Sequence, residues 1–294
     1  MNQTTFEDIP YTELIQHRFS CRKYATDPIA DEKQDKLTAF LADLPASPFG
    51  TRPRFGLVAA QKDDSQSLRG LGTYGFIRNA AGFIVGTIKP AEYDLEDYGY
   101  LLEMILLYAT ALDLGTCWIG GTFTKSRFAR KVELGNNESI PAIAAIGEFA
   151  EKDQKRMGLI SQIAGSHKRL PWETLFSNVI LKEPLYRNEA GPYARVLEMV
   201  RIAPSASNKQ PWRIVRNGNF WRLYLRRTAG YSDDPLKRLL DLCDMQRIDM
   251  GIAMCHFELT AQELGLNGEW VVEDDLNTNP TPSTEYIVSW EDLS

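Results

Sequence analysis

The chain has 294 residues, with 33 Lys and Arg against 39 Asp and Glu, a formal net charge of −6 and 44% hydrophobic residues. That is the balance of a soluble globular protein, long enough for two domains or one large one and able to bury a core without disulfides or metals. Mild acidity argues against nucleic acid as a partner. It is compatible with a small anionic ligand held by a local cluster of arginines.

In chain order, a helix is expected up to about His17, then an extended segment to Ile29 and a helix to Leu44. A strand near Phe55–Ala60 and a second at AGFIVGTI, from Ala81, precede a long apolar helix. That helix, Tyr98 to Leu114, carries Glu103 and Asp113 and falls short of a membrane span of about 20 residues. It reads as a buried core helix. A strand near Thr116–Ile119, a short helix near Lys125–Lys131 and a strand at Ala142–Phe149 follow. The polar, basic stretch EKDQKRMGLISQIAGSHKRLPWETL, from Glu151, reads as a connector. Beyond it come a helix, a strand, the strand FWRLYLRR, a second long helix, the strand EWVVEDD and a last strand, EYIVSW. Strands and helices mix without strict alternation, so the class is α+β.

No basic start followed by an apolar run opens the chain, so no secretory signal is expected. Cys21, Cys117, Cys243 and Cys255 form no CxxC pair and suit reduced thiols in a cytoplasmic protein. His17, His167 and His256 lie at no metal-ligand spacing from a cysteine, and no metal is expected. GLGTYG, from Gly70, fits GxGxxG but does not run from a strand into a helix, as a dinucleotide fingerprint requires.

Two stretches repeat. DYGYLLEMILLYATALDLGTCW, from Asp97, pairs with DMGIAMCHFELTAQELGLNGEW, from Asp249, matching Asp97 with Asp249, Gly99 with Gly251 and Trp118 with Trp270. KLTAFLADLP pairs with RVLEMVRIAP, matching Pro45 with Pro204. Two matches in the same order at similar offsets indicate a duplicated unit. The alternative is two generic amphipathic helices in one larger domain.

Two segments carry chemistry. In HRFSCRKYATDPI, from His17, the alternation of Arg18, Ser20, Arg22 and Tyr24 places them on one face of an extended chain. The guanidiniums there suit an anion or a hydrogen-bonding ring edge, unless the strand is simply basic and solvated. In RIAPSASNKQPW, from Arg201, the polar residues Ser205, Ser207, Asn208 and Gln210 exceed what a helix-terminating turn needs. Clustered donors and acceptors beside Trp212 suit a planar polar ligand.

The RxSxRx(F/Y) segment and the APSxxNxQPW segment resemble the two hallmark motifs of the FMN-dependent nitroreductase family, in its single-chain branch. LGTCWIGG after the long helix resembles a third, and HKRLP, from His167, resembles the basic stretch that closes the family's flavin-phosphate site. The resemblance implies a nitroreductase-like fold in which two homologous halves, residues 1–170 and 171–294, form an intrachain pseudo-dimer. Placing Pro184-Leu185 on Pro28-Ile29 puts Thr174, Phe176 and Asn178 where Arg18, Ser20 and Arg22 stand. One flavin site is therefore expected, shared between halves.

On that resemblance Arg18, Ser20, Lys168 and Arg169 face the ribityl phosphate, and Arg22 faces the pyrimidine edge. The backbone at Ile119, Gly120 and Gly121 lies near flavin N5. Pro204, Ser205, Ala206 and Asn208 close the other side. Tyr74 and Trp118 are candidate pocket walls, and His256 is expected to lie far from both motifs. Phe19, Ala206 and His167 depart from the family's usual residues. The implied activity is an oxidoreductase in which NAD(P)H reduces FMN, which then reduces a nitroaromatic, quinone or flavin-type acceptor. No side chain need act as acid or base. The alternative is flavin storage or sensing without turnover. The protein is expected to be a monomer or weak homo-oligomer, without nucleic-acid or membrane partners.

Overall fold

The computed structural model describes residues 5–59, 77–121, 123–150, 169–179, 183–229, 243–273 and 283–294. Tyr74, Lys168 and the GLGTYG stretch lie outside them. A short hairpin, β1 (Thr5–Phe6) and β2 (Ile9–Pro10), leads into α1 (Tyr11–His17). The chain is then extended to α2 (Asp31–Ala42). Strands β3 (Arg54–Ala59) and β4 (Gly82–Thr87), helix α3 (Asp94–Ala111), β5 (Gly115–Ile119), α4 (Lys125–Lys131) and β6 (Ile143–Gly147) follow. The remainder holds α5 (Trp172–Leu175), β7 (Phe176–Asn178), α6 (Tyr193–Ile202), β8 (Trp212–Asn217), β9 (Phe220–Arg226), α7 (Met245–Glu263), β10 (Gly268–Val271) and β11 (Thr284–Asp292).

The strands form two main sheets. One is ordered β3-β4-β6-β5 and is antiparallel throughout. The other is ordered β10-β11-β9-β8-β7, antiparallel except for the parallel pair of β7 with β8. Reading β8, β9, β10 and β11 as second copies of β3, β4, β5 and β6 gives both sheets the same strand order. Mixed helix and antiparallel sheet is the α+β class expected. The β1–β2 hairpin and β7 are too short to show a period of two in the sequence.

Helices α3 and α7 carry the core between the sheets. Asp94, Glu96 and Asp97 in the first turn of α3 complement the helix dipole. Its next residues are buried almost without interruption, so the helix is apolar on every face rather than striped. In α7, Asp244 caps the start by accepting from Gln246 N–H at 3.1 Å. The two helices end alike. Leu114 N–H donates to Ala109 O at 2.9 Å, and Leu266 N–H to Ala261 O at 2.9 Å. The turn residues Asp113 and Gly265 stand at φ 56° and 69°.

The helices meet where neither has a side chain. A Cβ on Gly99 would lie 2.2 Å from Ile248 O, and a Cβ on Gly251 would lie 1.9 Å from Glu96 O. The contacts are reciprocal, because Glu96 precedes Gly99 by three residues as Ile248 precedes Gly251. Any larger residue would drive one backbone off the other.

The connector is not all linker. Trp172 and Leu175 of α5 are buried in the main core, and Trp172 Nε1–H donates to Leu185 O at 2.6 Å. The proposed match of Thr174, Phe176 and Asn178 to the arginine segment also fails. Ser20 bridges Thr116 of β5, whereas Phe176–Asn178 runs beside β8. The Pro-Ile and Pro-Leu pairs are similar in sequence but follow differently paired segments. Among the described residues no cysteine forms a disulfide. Among the described residues, no helix is long and apolar enough to cross a membrane.

Gly251→Ala should destabilise the protein by about 3 kcal/mol or more, because the added methyl meets backbone that no rotamer change can move. Urea unfolding of the variant beside a Gly56→Ala control, where a Cβ meets nothing within 4 Å, checks it.

Candidate functional site

Helix α1 stops at Arg18, whose N–H still bonds Leu14 O at 2.8 Å while its own backbone is already extended. The chain then runs beside β5, with Cys21 N–H donating to Thr116 O at 2.8 Å. This turns Cys21 into the core and leaves Ser20 and Arg22 facing a cleft. The alternation does not extend to Tyr24. That side chain is buried in the smaller core cluster and donates to Ala145 O at 3.2 Å.

Opposite, α6 ends where Ala203 must be extended before Pro204. A 3-10 turn at Ala206–Asn208 follows, in which Ser207 and Asn208 have φ of 50° and 55°, with Gln210 beyond at 49°. Three non-glycine residues in the left-handed region need a frame to hold them. Gln210 supplies much of it. It is 1% exposed, its N–H donates to Ser205 Oγ at 2.9 Å and its Nε2–H to Asn208 O at 3.0 Å. Its Oε1 accepts from Leu170 N–H at 2.8 Å. Gln210 is thus a brace inside the loop, not a contact offered to a ligand, which corrects the reading of the whole polar cluster as ligand-facing. Arg169 completes the frame, donating to Asn208 Oδ1 at 2.5 Å and Ile202 O at 2.7 Å.

Between the two segments lies a cleft in two adjoining parts. The first, about 320 Å³, is lined by Ser20, Arg22, Trp118, Ile119, Gly120, Gly121, Pro204, Ser205 and Ala206, and also by Cys117, Ser207, Met245, Asp249 and Ile252. The second, about 470 Å³, is lined by Arg18, Arg169 and Asn208, shares Ser20, Arg22, Pro204, Ser205 and Ser207 with the first, and is closed by Ile15, Gln16, Phe19 and Ile202. These volumes are in the range of small-molecule sites. Tyr24 and Gln210 apart, the structure brings together the described candidates from the sequence, from segments about 190 residues apart. Trp118 is a wall of this cleft. A Cβ on Gly120 would lie 2.6 Å from the sulfur of Met245, so the methionine side chain would have to shift to admit it.

Beneath the cleft is a buried ionic cluster. Arg18 Nε lies 3.2 Å from Glu103 Oε1. Glu103 also bonds His256 Nε2 at 3.0 Å and accepts from Trp118 Nε1–H at 2.6 Å, and His256 Nδ1 lies 3.0 Å from Met199 O. Burial pushes the Glu103 carboxyl up, but Arg18 foremost, then His256 and Trp118, outweigh it and hold it below the usual range. His256 is therefore not remote. Only Glu103 separates it from Arg18, which contradicts the expectation. Arg18 Nη1 remains buried with no hydrogen-bond partner among the described residues. Arg169 is pushed down to about 10, by burial first and then by Arg18 and Arg201. Arg201 is matched by Glu198 at 2.6 Å and Arg18 by Glu103, so the local excess of positive charge rests on Arg169 and Arg22, which among the described residues form no ion pair.

Sequence reading missed Glu103, Met245, Asp249 and His256 as site residues. The available signal was polar or charged residues inside apolar helices. Asp249 and His256, seven residues and two turns apart, fall on one face of α7.

The family model described as "Putative TM nitroreductase" matches residues 11–261. Among solved structures, a "putative nitroreductase" of Thermotoga maritima is similar at a TM-score of 0.58 and 18% identity, covering 96% of this chain and 93% of that one. An FMN-bound nitroreductase of Bacteroides fragilis is similar at a TM-score of 0.38 and 20% identity, covering 48% and 89%. An NADPH:FMN oxidoreductase of Vibrio harveyi, complexed with NAD+, is similar at a TM-score of 0.38 and 19% identity, covering 48% and 69%. No curated protein matches the chain. The family match spans both segments of the cleft and the helices that carry its ionic cluster, and the chain belongs to this nitroreductase family.

Proposed function

We propose that the protein is an FMN-dependent oxidoreductase whose single flavin lies in the cleft between residues 18–22 and 204–208. The observation that carries this is a polar, arginine-rich cleft, assembled from both hallmark segments, in a member of a nitroreductase family. The residues present fit the cofactor. A buried guanidinium nitrogen on Arg18 with no hydrogen-bond partner among the described residues, and mutual repulsion around Arg169, are what a site for an anionic group leaves when that group is not counted.

Arg18 and Arg169 would hold the phosphate, with Ser20 beside them; Lys168 follows the same reading from outside the described residues. Arg22 would sit at the ring's polar edge, where positive charge favours an electron-rich ring. The backbone of Ile119, Gly120 and Gly121 would line the ring, and Pro204, Ser205, Ala206 and Asn208 would close the cleft from the other segment. Trp118 and Tyr74 are candidate walls toward a second ligand. Bound FMN would supply hydride chemistry, accepting from NAD(P)H and passing electrons to a nitroaromatic, quinone or flavin-type acceptor. The residues of the chain bind and orient.

The halves 1–170 and 171–294 are read as a fused pseudo-dimer. The reciprocal crossing at Gly99 and Gly251 and the matching strand orders support that reading. Cofactor stoichiometry follows from it: apoprotein titrated with FMN should saturate at one equivalent per chain. NADH or NADPH should then bleach the bound flavin, and a quinone should restore its colour. Binding without bleaching would leave a flavin carrier without turnover.

Arg18→Ala should lower FMN affinity more than tenfold, about 1.4 kcal/mol, since a charge-assisted hydrogen bond contributes about 1.5–3 kcal/mol. Fluorescence quenching of FMN on titration measures it, and unchanged affinity would place the phosphate elsewhere.

Glu103→Ala should cost about 3–5 kcal/mol of stability, because it leaves Arg18 buried without its counter-charge. Denaturant unfolding reads this. The Glu103 carboxyl is held below its ordinary value, so its contribution is complete above about pH 4.5 and is lost as pH falls through its lowered native pKa.

A further inference from the structure

Asp97 and Asp249 occupy matching places, two residues before the glycines at which α3 and α7 cross. Each reaches the loop that follows the preceding helix: residues 45–53 for Asp97 and 204–211 for Asp249. Their hydrogen bonding differs. Asp97 Oδ1 accepts from Phe49 N–H at 2.9 Å, and its Oδ2 accepts from Thr51 N–H at 2.9 Å and lies 2.8 Å from Ser47 Oγ. Both oxygens are occupied in holding their own loop.

Among the described residues the Asp249 carboxyl has one hydrogen bond: its Oδ1 accepts from Ala206 N–H at 2.9 Å, while Oδ2 is buried with no partner. The sequence shows why. Shifting the Pro45 loop onto the Pro204 loop puts Ala206 where Ser47 stands and Gln210 where Thr51 stands. Alanine has no hydroxyl to offer. The N–H of Gln210 is turned to Ser205 Oγ instead. The N–H of Asn208, in the place of Phe49, donates to Ser205 O, so none of the three Asp97 donors is repeated at Asp249 and the Ala206 N–H stands in their place; the carboxyl group is 1% exposed yet lines the cleft. A buried, half-unpaired carboxylate is costly, and a proton on the free oxygen relieves that cost.

We propose that Asp249 is a ligand-contacting residue of the cleft: its neutral carboxyl donates a hydrogen bond from Oδ2 to a carbonyl oxygen or ring nitrogen of the bound flavin. This rests on the flavin reading above and adds a donor that the sequence motifs do not contain. The surroundings favour the neutral form. Burial drives the Asp249 carboxyl well above the ordinary range and Asp244, on the same helix, adds to it; the Ala206 N–H opposes both. Arg22 and Cys117 face the same cleft from the other side, and among the described residues Asp249 forms no ion pair with Arg22. At the helix crossing, Glu96 is already paired with Arg247 at 2.6 Å. The duplicated framework thus holds two versions of one carboxyl group, one committed to its loop and one with an oxygen left over for the ligand.

The test compares wild type, Asp249→Asn, Asp249→Ala and Ala206→Ser by FMN titration of apoprotein and by infrared difference spectra, FMN-bound minus free, at neutral pH. Asn keeps an acceptor for Ala206 N–H and an N–H donor toward the cleft, so its affinity should stay within about threefold of wild type. Ala should weaken binding by roughly tenfold, the loss of about one hydrogen bond. Wild type should show the carbonyl stretch of a protonated carboxyl that shifts on binding and is lost in Asp249→Asn. Ala206→Ser returns a hydroxyl to the place of Ser47, and should remove that band by stabilising the carboxylate while weakening FMN. A merely structural Asp249 would change affinity on truncation but show no protonated band and no shift, and that result overturns the proposal. Weakening by Ala206→Ser with the band intact would mark a steric effect and also count against it. Failure of wild type to bind FMN at all would instead overturn the flavin reading itself.

Discussion

Helices α3 and α7 touch backbone to backbone at Gly99 and Gly251, and that contact sets where the polar groups of these two helices stand under the cleft. An approach this close leaves no room for side chains at the crossing. It places residues one turn and two turns away directly against the facing helix. Glu103 is one turn beyond Gly99 and meets His256 of α7 at 3.0 Å. Asp97 and Asp249, on the other side of the crossing, point outward to the two loops. A wider separation would bring water or larger apolar residues between the helices, and Glu103 could not reach His256 while also meeting Arg18.

The crossing also explains how a carboxylate survives in an apolar core. Glu103 is completely buried, and desolvation alone would favour its neutral form. Arg18, His256 and Trp118 reverse the balance, and in return Glu103 fixes the guanidinium at the end of α1. A cation fixed by a buried partner has already lost its side-chain freedom, so a second anion arriving at its other edge finds it preorganised. Arg169 is placed in a comparable way by Asn208 and Ile202, using hydrogen bonds to neutral oxygens in place of an ion pair. The two arginines thus share one task while being held by different means.

Much of this was legible in the sequence where a pattern was long or chemically unusual. The two long helices and most strands follow from apolar runs and turn residues, and the Arg18–Arg22 and Pro204–Asn208 segments stood out by composition. What failed has physical reasons. Tyr24 continued an alternation that the fold ends at Arg22, because the bridge at Tyr24 to Phe149 carries the chain across another strand. Gln210 looked like a ligand donor because composition cannot say which way an amide turns; a loop with three left-handed residues needs an internal brace more than an outward contact. His256 looked remote because separation along the chain says nothing about a facing helix. The pairing of β7 with β8 depends on sheet order, to which three residues contribute no readable signal.

The difference between Asp97 and Asp249 extends the same logic to the origin of the site. On the proposed reading of two fused halves, the two loops are counterparts held by counterpart carboxyl groups, and each can differ without unfolding the other only if the crossing between them stays intact. The Ser47–Thr51 side retains its three contacts to Asp97 and forms a closed structural corner. On the other side, Ala206 supplies no hydroxyl, Gln210 turns inward and Asp249 is left with one contact. A loop with two fewer tethers would be expected to loosen. It does not, because Gln210 and Leu170 hold it from within and Arg169 ties Asn208 at the cleft's edge. Supporting the loop in this way rather than through Asp249 is what frees polar atoms for the cleft while the loop keeps its strained shape.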